Sequence, residues 1–100
     1  MTATTIERPA TAPQARPSET LKPDDMFQVV LHNDDWNDIG HVIQCLMEIF
    51  GHNKGLATKI ASEANERGKA IAEVEGETQA KLHRDQLQHR GLSATVERIL

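Results

Sequence analysis

The chain has 100 residues and a formal net charge of −4, which is enough sequence for one domain. Its acidity and the scatter of its eleven Lys and Arg residues argue against a nucleic-acid partner. No apolar run is long enough to span a bilayer and no signal segment is evident, so no membrane partner is expected. The single cysteine, Cys45, cannot form an internal disulfide, which favours a reducing compartment and predicts a cytoplasmic protein.

The first quarter of the chain differs in composition from the rest. It contains all four prolines, many threonines and very few large aliphatic side chains. Such a segment has too little apolar surface to offset the entropy of ordering it, so we predict a flexible tail over residues 1–24. A transit peptide is the alternative, but Glu7 and Glu19 and the lack of an amphipathic pattern argue against it. Residues 25–100 then form one small core.

The core begins with a predicted strand over residues 26–32, because apolar and polar side chains alternate there. Its core-facing side chains are expected to be Phe27, Val29 and Leu31. Turn-forming and helix-capping residues follow at 33–38 and end the strand. Aliphatic side chains then recur at helical spacing over residues 39–50, and Gly51 ends this helix.

A second helix is predicted over about residues 53–67, where alanines and aliphatic residues form one stripe, and Gly68 ends it. Residues 69–75 predict a second strand, although their alternation is poorer. A polar third helix begins at Gly76 and Glu77. Its inner face and its cap are expected at Ala80, His83 or Arg84, Leu87 and Gly91.

A last strand is predicted over residues 92–96, again from alternating polarity. The predicted element order is therefore β-α-α-β-α-β. Because only three strands are available, the helices should cover one face of a small sheet. This predicts an α+β fold of two layers, a three-stranded sheet with helices on one face, preceded by the flexible tail.

No pattern indicates a catalytic centre, so an enzyme is not expected. Asp34 and Asp35 are adjacent carboxylates, but neighbouring side chains usually diverge. The five histidines lack metal-ligand spacing, and a metal held by His32 and Asp34 is the remaining alternative. We expect neither a metal nor a cofactor, and we interpret Cys45 as a partly buried structural thiol.

One set of residues combines acceptor oxygens with small and aliphatic side chains. The set consists of Asn33, Asp34 and Asp35 at the turn, Ile39 and Val42 in the first helix, and Ala61, Ala64 and Asn65 in the second. If the two helices are neighbours, these side chains line a cavity beside an acidic corner. Such a cavity suits a ligand with one positive and one apolar end. A capping box with an Asx-turn is the alternative interpretation of residues 33–38.

Residues 27–37 resemble the hallmark of the ClpS family of Clp protease adaptors, a hydrophobic strand that runs into Asn-Asp-Asp-aromatic. The following helix, Ala57-Thr58 and the Gly-Lys-Ala-Ile element at 68–71 are similar to the family without a gap. The likeness is weaker at 91–95, after a shorter third helix than many members have. It extends over nearly all of residues 26–97, and the ungapped run makes it specific.

This resemblance implies an adaptor that binds proteins with a bulky hydrophobic N-terminal residue (Phe, Tyr, Trp or Leu). It also implies docking on the N-terminal domain of a Clp AAA+ unfoldase, ClpA or ClpC, which receives these proteins for degradation. The implied acceptors for the substrate's α-amine are Asn33, Asp34 or Asp35, and Asn65. The implied apolar pocket consists of Asn37, Ile39, Val42, Ala61, Ala64 and Leu92. Glu77 and Lys81 are the candidate unfoldase contacts, and an exposed i, i+4 salt bridge is the alternative explanation of that pair.

The sequence departs from the family at the implied site. Asn65 stands where typical members carry a histidine that helps to hold the amine, and its side-chain oxygen can still accept a hydrogen bond. Ala61 and Ala64 replace a larger Met and Val, and Ile39 stands where many members carry Met. We therefore expect a wider pocket with a stiffer gate, which accepts Phe, Tyr or Trp at least as well as Leu.

Three functions are consistent with these observations. The first is the adaptor that reads N-terminal residues. The second is a docking-only regulator that occupies the unfoldase and has lost or altered this binding. The third is an interaction domain like the C-terminal domain of the bacterial ribosomal stalk protein, which shares this general fold but does not require Asn-Asp-Asp at the end of a strand.

Overall fold

The computed structural model describes residues 26–99, and the tail predicted over residues 1–24 lies outside this range. The elements in chain order are β1 (Met26–His32), α1 (Ile39–Phe50), α2 (Lys54–Arg67), β2 (Lys69–Gly76), α3 (Glu77–His89) and β3 (Ser93–Arg98). The predicted order of strands and helices is therefore confirmed. Within residues 26–99, none of the helices is long and apolar enough to cross a membrane. The domain boundary at residue 25 stays a prediction.

β1 is the central strand of a three-stranded antiparallel sheet with the order β2-β1-β3. Phe27, Val29 and Leu31 point from β1 into the core, as predicted, and none is more than 8% exposed. The helices contribute the other half of this core, with Cys45, Leu46, Ala57, Ile60, Ala61, Ala64, Ala80 and Leu87. Because the helices cover one face of the sheet, the predicted two-layer α+β fold is confirmed.

Val30 is buried although it points to the face of the sheet that carries no helices. Its side chain is only 2% exposed and does not belong to the main core cluster. Its cross-strand partners are Ile71 of β2 and Thr95 of β3. A residue in a central strand is covered by such partners on both sides even without a second layer. Alternation of polarity alone does not indicate this burial.

Two backbone hydrogen bonds bring the end of β1 to the end of α2. Asn33 N donates to Gly68 O at 2.9 Å, and Gly68 N donates to Ala64 O at 2.9 Å. Gly68 has a φ of 91°, a left-handed conformation that glycine adopts without a Cβ penalty. The start of the turn after β1 is thereby held beside the last turn of α2, where Asn65 lies.

The end of α3 forms a Schellman motif that positions Leu92. Leu92 N donates to Leu87 O and Gly91 N donates to Gln88 O, both at 3.0 Å. Gly91 has a φ of 88°, as this motif requires. Leu87 and Leu92 are both buried and supply the hydrophobic contact that accompanies the motif. The predicted cap at Gly91 is therefore confirmed.

The inner face of α3 carries His83 rather than Arg84, which settles the alternative that the sequence left open. His83 Nδ1 lies 2.6 Å from Glu75 Oε2, and both side chains are mostly buried. Phe50 packs edge-on against the His83 ring, with 4.8 Å between the ring centroids. Arg84 Nε donates instead to Asp85 Oδ1 on the surface. Together Glu75 and His83 connect β2 to α3 beneath α1.

Candidate functional site

A cavity of about 50 Å³ lies where the end of β1, the start of α1 and the second half of α2 meet. It is lined by Leu31, His32, Asn33, Asp34, Asn37, Ile39, Val42, Ala61, Ala64, Asn65 and Leu92. Every residue that the sequence analysis assigned to the α-amine site or to the apolar pocket lies in this wall, except Asp35. The structure thus brings together side chains from four separate segments of the chain.

The Asp34 carboxylate organises the turn between β1 and α1. Its Oδ1 accepts hydrogen bonds from Trp36 N at 3.2 Å and from Asn37 N at 2.9 Å, and its Oδ2 accepts one from Asn37 Nδ2 at 2.9 Å. Asp38, four residues further along the chain, caps α1 by accepting a hydrogen bond from His41 N at 2.8 Å. The Asx-turn and the N-cap of the alternative interpretation are therefore present, whereas a capping box is not formed, because the N3 residue is His41 rather than Glu or Gln.

The environment of Asp34 favours its charged form. Burial on its own would raise the pKa of the Asp34 carboxyl, but the hydrogen bonds from Asn37 and Trp36 lower that pKa below its ordinary value of 3.8. The carboxylate is therefore ionised at neutral pH and supplies a negative charge at the cavity wall. Its lone pairs that face the turn are already occupied, so Asp34 acts on the site chiefly through its charge and through Asn37.

The Asn37 side chain connects this turn to the turn that follows α3. Its Nδ2 donates to Asp34 Oδ2 at 2.9 Å and also to Gly91 O at 2.8 Å. Both amide hydrogens are thus used, which fixes the orientation of the carboxamide and leaves Oδ1 as its acceptor. Within residues 26–99, no donor is placed to bond this oxygen. The sequence analysis assigned Asn37 to the apolar pocket, whereas its side chain ends in a polar carboxamide.

α1 also fixes the turn after α3. This turn contains Gly91, whose carbonyl oxygen accepts the hydrogen bond from Asn37. His41 Nε2 lies 3.0 Å from Arg90 O, and Arg90 Nη2 donates to Glu48 Oε1 at 2.6 Å. The pKa of the Glu48 carboxyl is lowered by its hydrogen bonds from Gln44 and Arg90. Two side chains of α1 therefore fix Arg90, and the neighbouring carbonyl of Gly91 is presented to Asn37.

Two further carboxamides, those of Asn33 and Asn65, lie at the outer edge of the cavity. Both residues are exposed, and neither side chain has a hydrogen-bond partner in the part of the chain that the structure describes. Each can offer a carbonyl oxygen to a ligand. With the ionised Asp34 nearby, this edge presents several oxygens and one full negative charge, an arrangement suited to a small cation with several N–H donors.

The opposite wall is apolar. Ala61, Ala64 and Leu92 are buried, each exposing no more than 4% of its surface, and Val42 is half-buried beside them. Ile39 is 47% exposed and stands at the mouth. An apolar cavity that holds a benzene ring measures roughly 150 Å³. A cavity of about 50 Å³ therefore admits an aromatic ring only if the mouth opens. The predicted widening relative to other family members stays a prediction.

Asp35 and Trp36 lie outside the cavity. Both are exposed, and 74% of the Trp36 surface is accessible. Conversely, the cavity contains Leu31 and His32, which the sequence analysis did not assign to it. Leu31 and His32 are the last two residues of the strand, directly before the acidic turn, and this position could have indicated that they lie beside the cavity. His32 Nε2 lies 2.8 Å from Thr95 Oγ1 and thereby ties this edge of the cavity to β3.

The remaining candidate residues form ordinary structural contacts. Lys81 Nζ lies 2.7 Å from Glu77 Oε2, and both side chains are about half exposed, so this i, i+4 pair contributes little stability. Cys45 is fully buried, more than the partial burial expected, and burial raises the pKa of its thiol. Among residues 26–99, no group of three or more His, Cys, Asp or Glu side chains could hold a metal ion.

Comparison with protein families gives a match described as "ATP-dependent Clp protease adaptor protein ClpS", over residues 22–95. An ATP-dependent Clp protease adapter protein ClpS from Thermosynechococcus vestitus is 33% identical over 86 residues, which is 85% of this chain and 92% of the relative. The chloroplastic adapter CLPS1 of Arabidopsis thaliana is 36% identical over 72 residues, which is 71% of this chain but 45% of that protein.

A solved structure has the same fold. It is that of Agrobacterium tumefaciens ClpS2 bound to L-phenylalaninamide, with a TM-score of 0.72 over 75% of this chain and 98% of that chain. The two sequences are 21% identical, so this likeness concerns the fold. It confirms the arrangement of three helices on a three-stranded sheet.

Proposed function

The chain belongs to the ClpS family of ATP-dependent Clp protease adaptors, and on this premise we propose that it binds the N-terminal residue of substrate proteins in the cavity described above. ClpS proteins are adaptors and not enzymes, in agreement with the expectation from the sequence. The bound proteins are those that begin with a bulky hydrophobic residue, and they are delivered to a Clp AAA+ unfoldase for degradation.

One observation carries this proposal: a single cavity has acceptor oxygens at its outer edge and apolar side chains inside. A free α-amine is cationic up to a pKa of about 7.7–8.0 and presents three donors. Asn33 and Asn65 offer acceptors to these donors, and Asp34 offers a negative charge. A charge-assisted hydrogen bond of this kind contributes about 1.5–3 kcal/mol to binding.

The apolar wall would receive the first side chain of the substrate. Burial of a side chain the size of Leu or Phe contributes about 1.5–3 kcal/mol, similar to the amine contacts. Neither half of the ligand is sufficient alone, which explains how one site can demand both a free amine and a large side chain. The ligand L-phenylalaninamide in the Agrobacterium tumefaciens ClpS2 structure has both halves, and this supports the proposal.

The partner would be the N-terminal domain of ClpA or ClpC, and the site of action the cytoplasm. Segment 1–24 would assist in passing the substrate to the unfoldase, because it is long enough to reach well away from the domain. Glu77 and Lys81 remain the proposed docking contacts, and their exposure leaves both accessible. Charge reversal at both positions tests this contact, since it preserves their mutual pairing while it inverts the charges presented to the partner.

A titration with a Phe-initiated peptide and its N-acetylated twin tests the proposal. We expect the free peptide to bind and the acetylated peptide to lose at least about 10-fold in affinity, because acetylation removes the charge and two donors. Asn33→Ala should weaken binding of the free peptide, whereas Glu63→Ala, on α2 outside the cavity, should leave that affinity unchanged. Equal binding of both peptides would refute the amine site.

The docking-only regulator is the second candidate, and the small volume of the cavity favours it. About 50 Å³ is far less than the roughly 150 Å³ of a cavity that holds a benzene ring, so a site that cannot open would exclude bulky residues. This function predicts no binding of either peptide, together with tight binding to the isolated N-terminal domain of the unfoldase. Binding of the free peptide alone eliminates this candidate.

A further inference from the structure

We propose that Asn37 is a specificity-determining residue, whose Oδ1 accepts a hydrogen bond from a donor on the first side chain of the substrate. The site would therefore prefer an aromatic ring that carries a donor, such as the tyrosine hydroxyl, over an otherwise similar ring without one. This inference rests on the proposed function and names the kind of first residue that the cavity selects.

The orientation of Asn37 is fixed by contacts on two sides. Its Nδ2 hydrogens are committed to Asp34 Oδ2 and to Gly91 O, at 2.9 and 2.8 Å. A rotation of the amide that exchanged nitrogen and oxygen would place Oδ1 against two acceptors, so the observed orientation is strongly preferred. Gly91 itself is held through Arg90, which is bonded to α1. The acceptor is thus preorganised and does not depend on the ligand.

The position of Asn37 assigns its oxygen to the side chain of the substrate rather than to the α-amine. Asn33 and Asn65, the acceptors proposed for the amine, are exposed at the outer edge of the cavity, whereas Asn37 is partly buried. A substrate that leaves its amine and its following residues outside must direct its first side chain inward. Asn37 lines this cavity, its Nδ2 is committed to Asp34 and Gly91, and its Oδ1 has no donor within residues 26–99, so Oδ1 is the acceptor that we assign to this side chain.

Selectivity follows from what happens to this oxygen when the cavity fills. In the empty site water can reach it, but a phenyl ring would displace that water and leave the acceptor unpaired. A tyrosine hydroxyl would restore the bond. The expected preference is that of one neutral hydrogen bond, about 2- to 10-fold in affinity.

The test compares three peptides that differ only in the first residue: Tyr, 4-fluorophenylalanine and Phe. Fluorine fills nearly the same space as the hydroxyl but donates no hydrogen bond. In the wild-type protein the Tyr peptide should bind about 2- to 10-fold more tightly than the 4-fluoro peptide, and the Phe peptide should resemble the 4-fluoro peptide. Equal affinities for Tyr and 4-fluorophenylalanine would overturn the inference.

Asn37→Leu, of similar volume, should bring the Tyr to 4-fluorophenylalanine ratio close to one. A merely structural role of Asn37 would lower both affinities and leave the ratio unchanged, and that result would overturn the inference. Asn37→Thr is the second variant, because its smaller side chain is less disruptive to the turn if Leu does not fit there. Failure of the wild-type protein to bind even the Phe peptide would instead refute the proposed function, so the two failures are distinguishable.

Discussion

Replacement of Asp34 by alanine should destabilise the domain, because its carboxylate accepts three hydrogen bonds in the turn between β1 and α1. The bonds from Asn37 N and Asn37 Nδ2 are both 2.9 Å long, and that from Trp36 N is 3.2 Å long. A hydrogen bond to a charged group contributes about 1.5–3 kcal/mol when buried, and the partial exposure of this turn reduces that to about 1 kcal/mol for each short bond. Asp34→Ala should therefore lower the free energy of unfolding by about 2 kcal/mol.

Two matched variants separate this effect from a general effect of lost charge. In Asp34→Asn the side-chain oxygen can still accept from Asn37 N, but the new amide would face Asn37 Nδ2, so two donors would meet and about 1 kcal/mol should be lost. Asp35→Ala removes the neighbouring carboxylate, which is exposed and makes no hydrogen bond or ion pair within residues 26–99. Its effect should stay within about 0.5 kcal/mol.

Urea unfolding followed by far-UV circular dichroism measures these differences. With a slope of about 1 kcal/mol per molar urea for a domain of this size, the midpoint should fall by about 2 M in Asp34→Ala and by about 1 M in Asp34→Asn. Asp35→Ala should hardly move it. Equal shifts in the two alanine variants, or no shift in either, would refute the assignment of Asp34 to the turn.

Three further outcomes are expected. Because the folded-state pKa of Asp34 lies below 3.8, its stabilising charge is fully present above that pH, and the wild-type advantage over Asp34→Ala should shrink when unfolding is measured below it. Calorimetry with a Phe-initiated peptide should give a flat affinity from about pH 7.5 to 5.5, whereas Asn65→His should weaken binding as the new imidazole protonates near ~6.5. In thermal unfolding, Gly55→Ala should be more stable than the wild type by about 0.4–1 kcal/mol, because its added Cβ makes an ordinary 3.5 Å contact. Gly68→Ala should be less stable by about 1 kcal/mol, because its φ of 91° disfavours a Cβ. A more stable Gly68→Ala would contradict the argument.

The fold could be predicted from the sequence because each element carries a local signal. Alternation over residues 26–32 marks β1, helical spacing over 39–50 marks α1, and Gly68 and Gly91 mark the ends of two helices. The same local signals indicated the Asx-turn as the alternative interpretation of residues 33–38. Most of the cavity wall could be predicted as well, from helical spacing and the assumption that α1 and α2 are neighbours, and the resemblance to the ClpS family added Asn37 and Leu92.

The parts that could not be predicted depend on contacts between distant residues. The hydrogen bond from Asn37 to Gly91 connects residues 54 positions apart, and no pattern near either residue indicates it. Without this contact, Asn37 is only one more polar residue in a turn. With it, the carboxamide has a fixed orientation and a free acceptor. Sequence spacing predicts which residues share a surface, but the hydrogen bonds decide which atom of a side chain remains available to a ligand.

The volume of the cavity illustrates the same limit for apolar contacts. Small residues at Ala61 and Ala64 remove side-chain atoms from the wall, but the distance between packed helices itself depends on the side chains at the contact, so α1 and α2 can approach and fill the space. A cavity of about 50 Å³ beside two buried alanines is consistent with this compensation. Adaptation to a larger ligand must then come from side chains that are free to move. Ile39 is 47% exposed at the mouth, whereas the alanines are fixed in the core, so the residue at position 39, more than those at 61 and 64, should determine which first residues gain access.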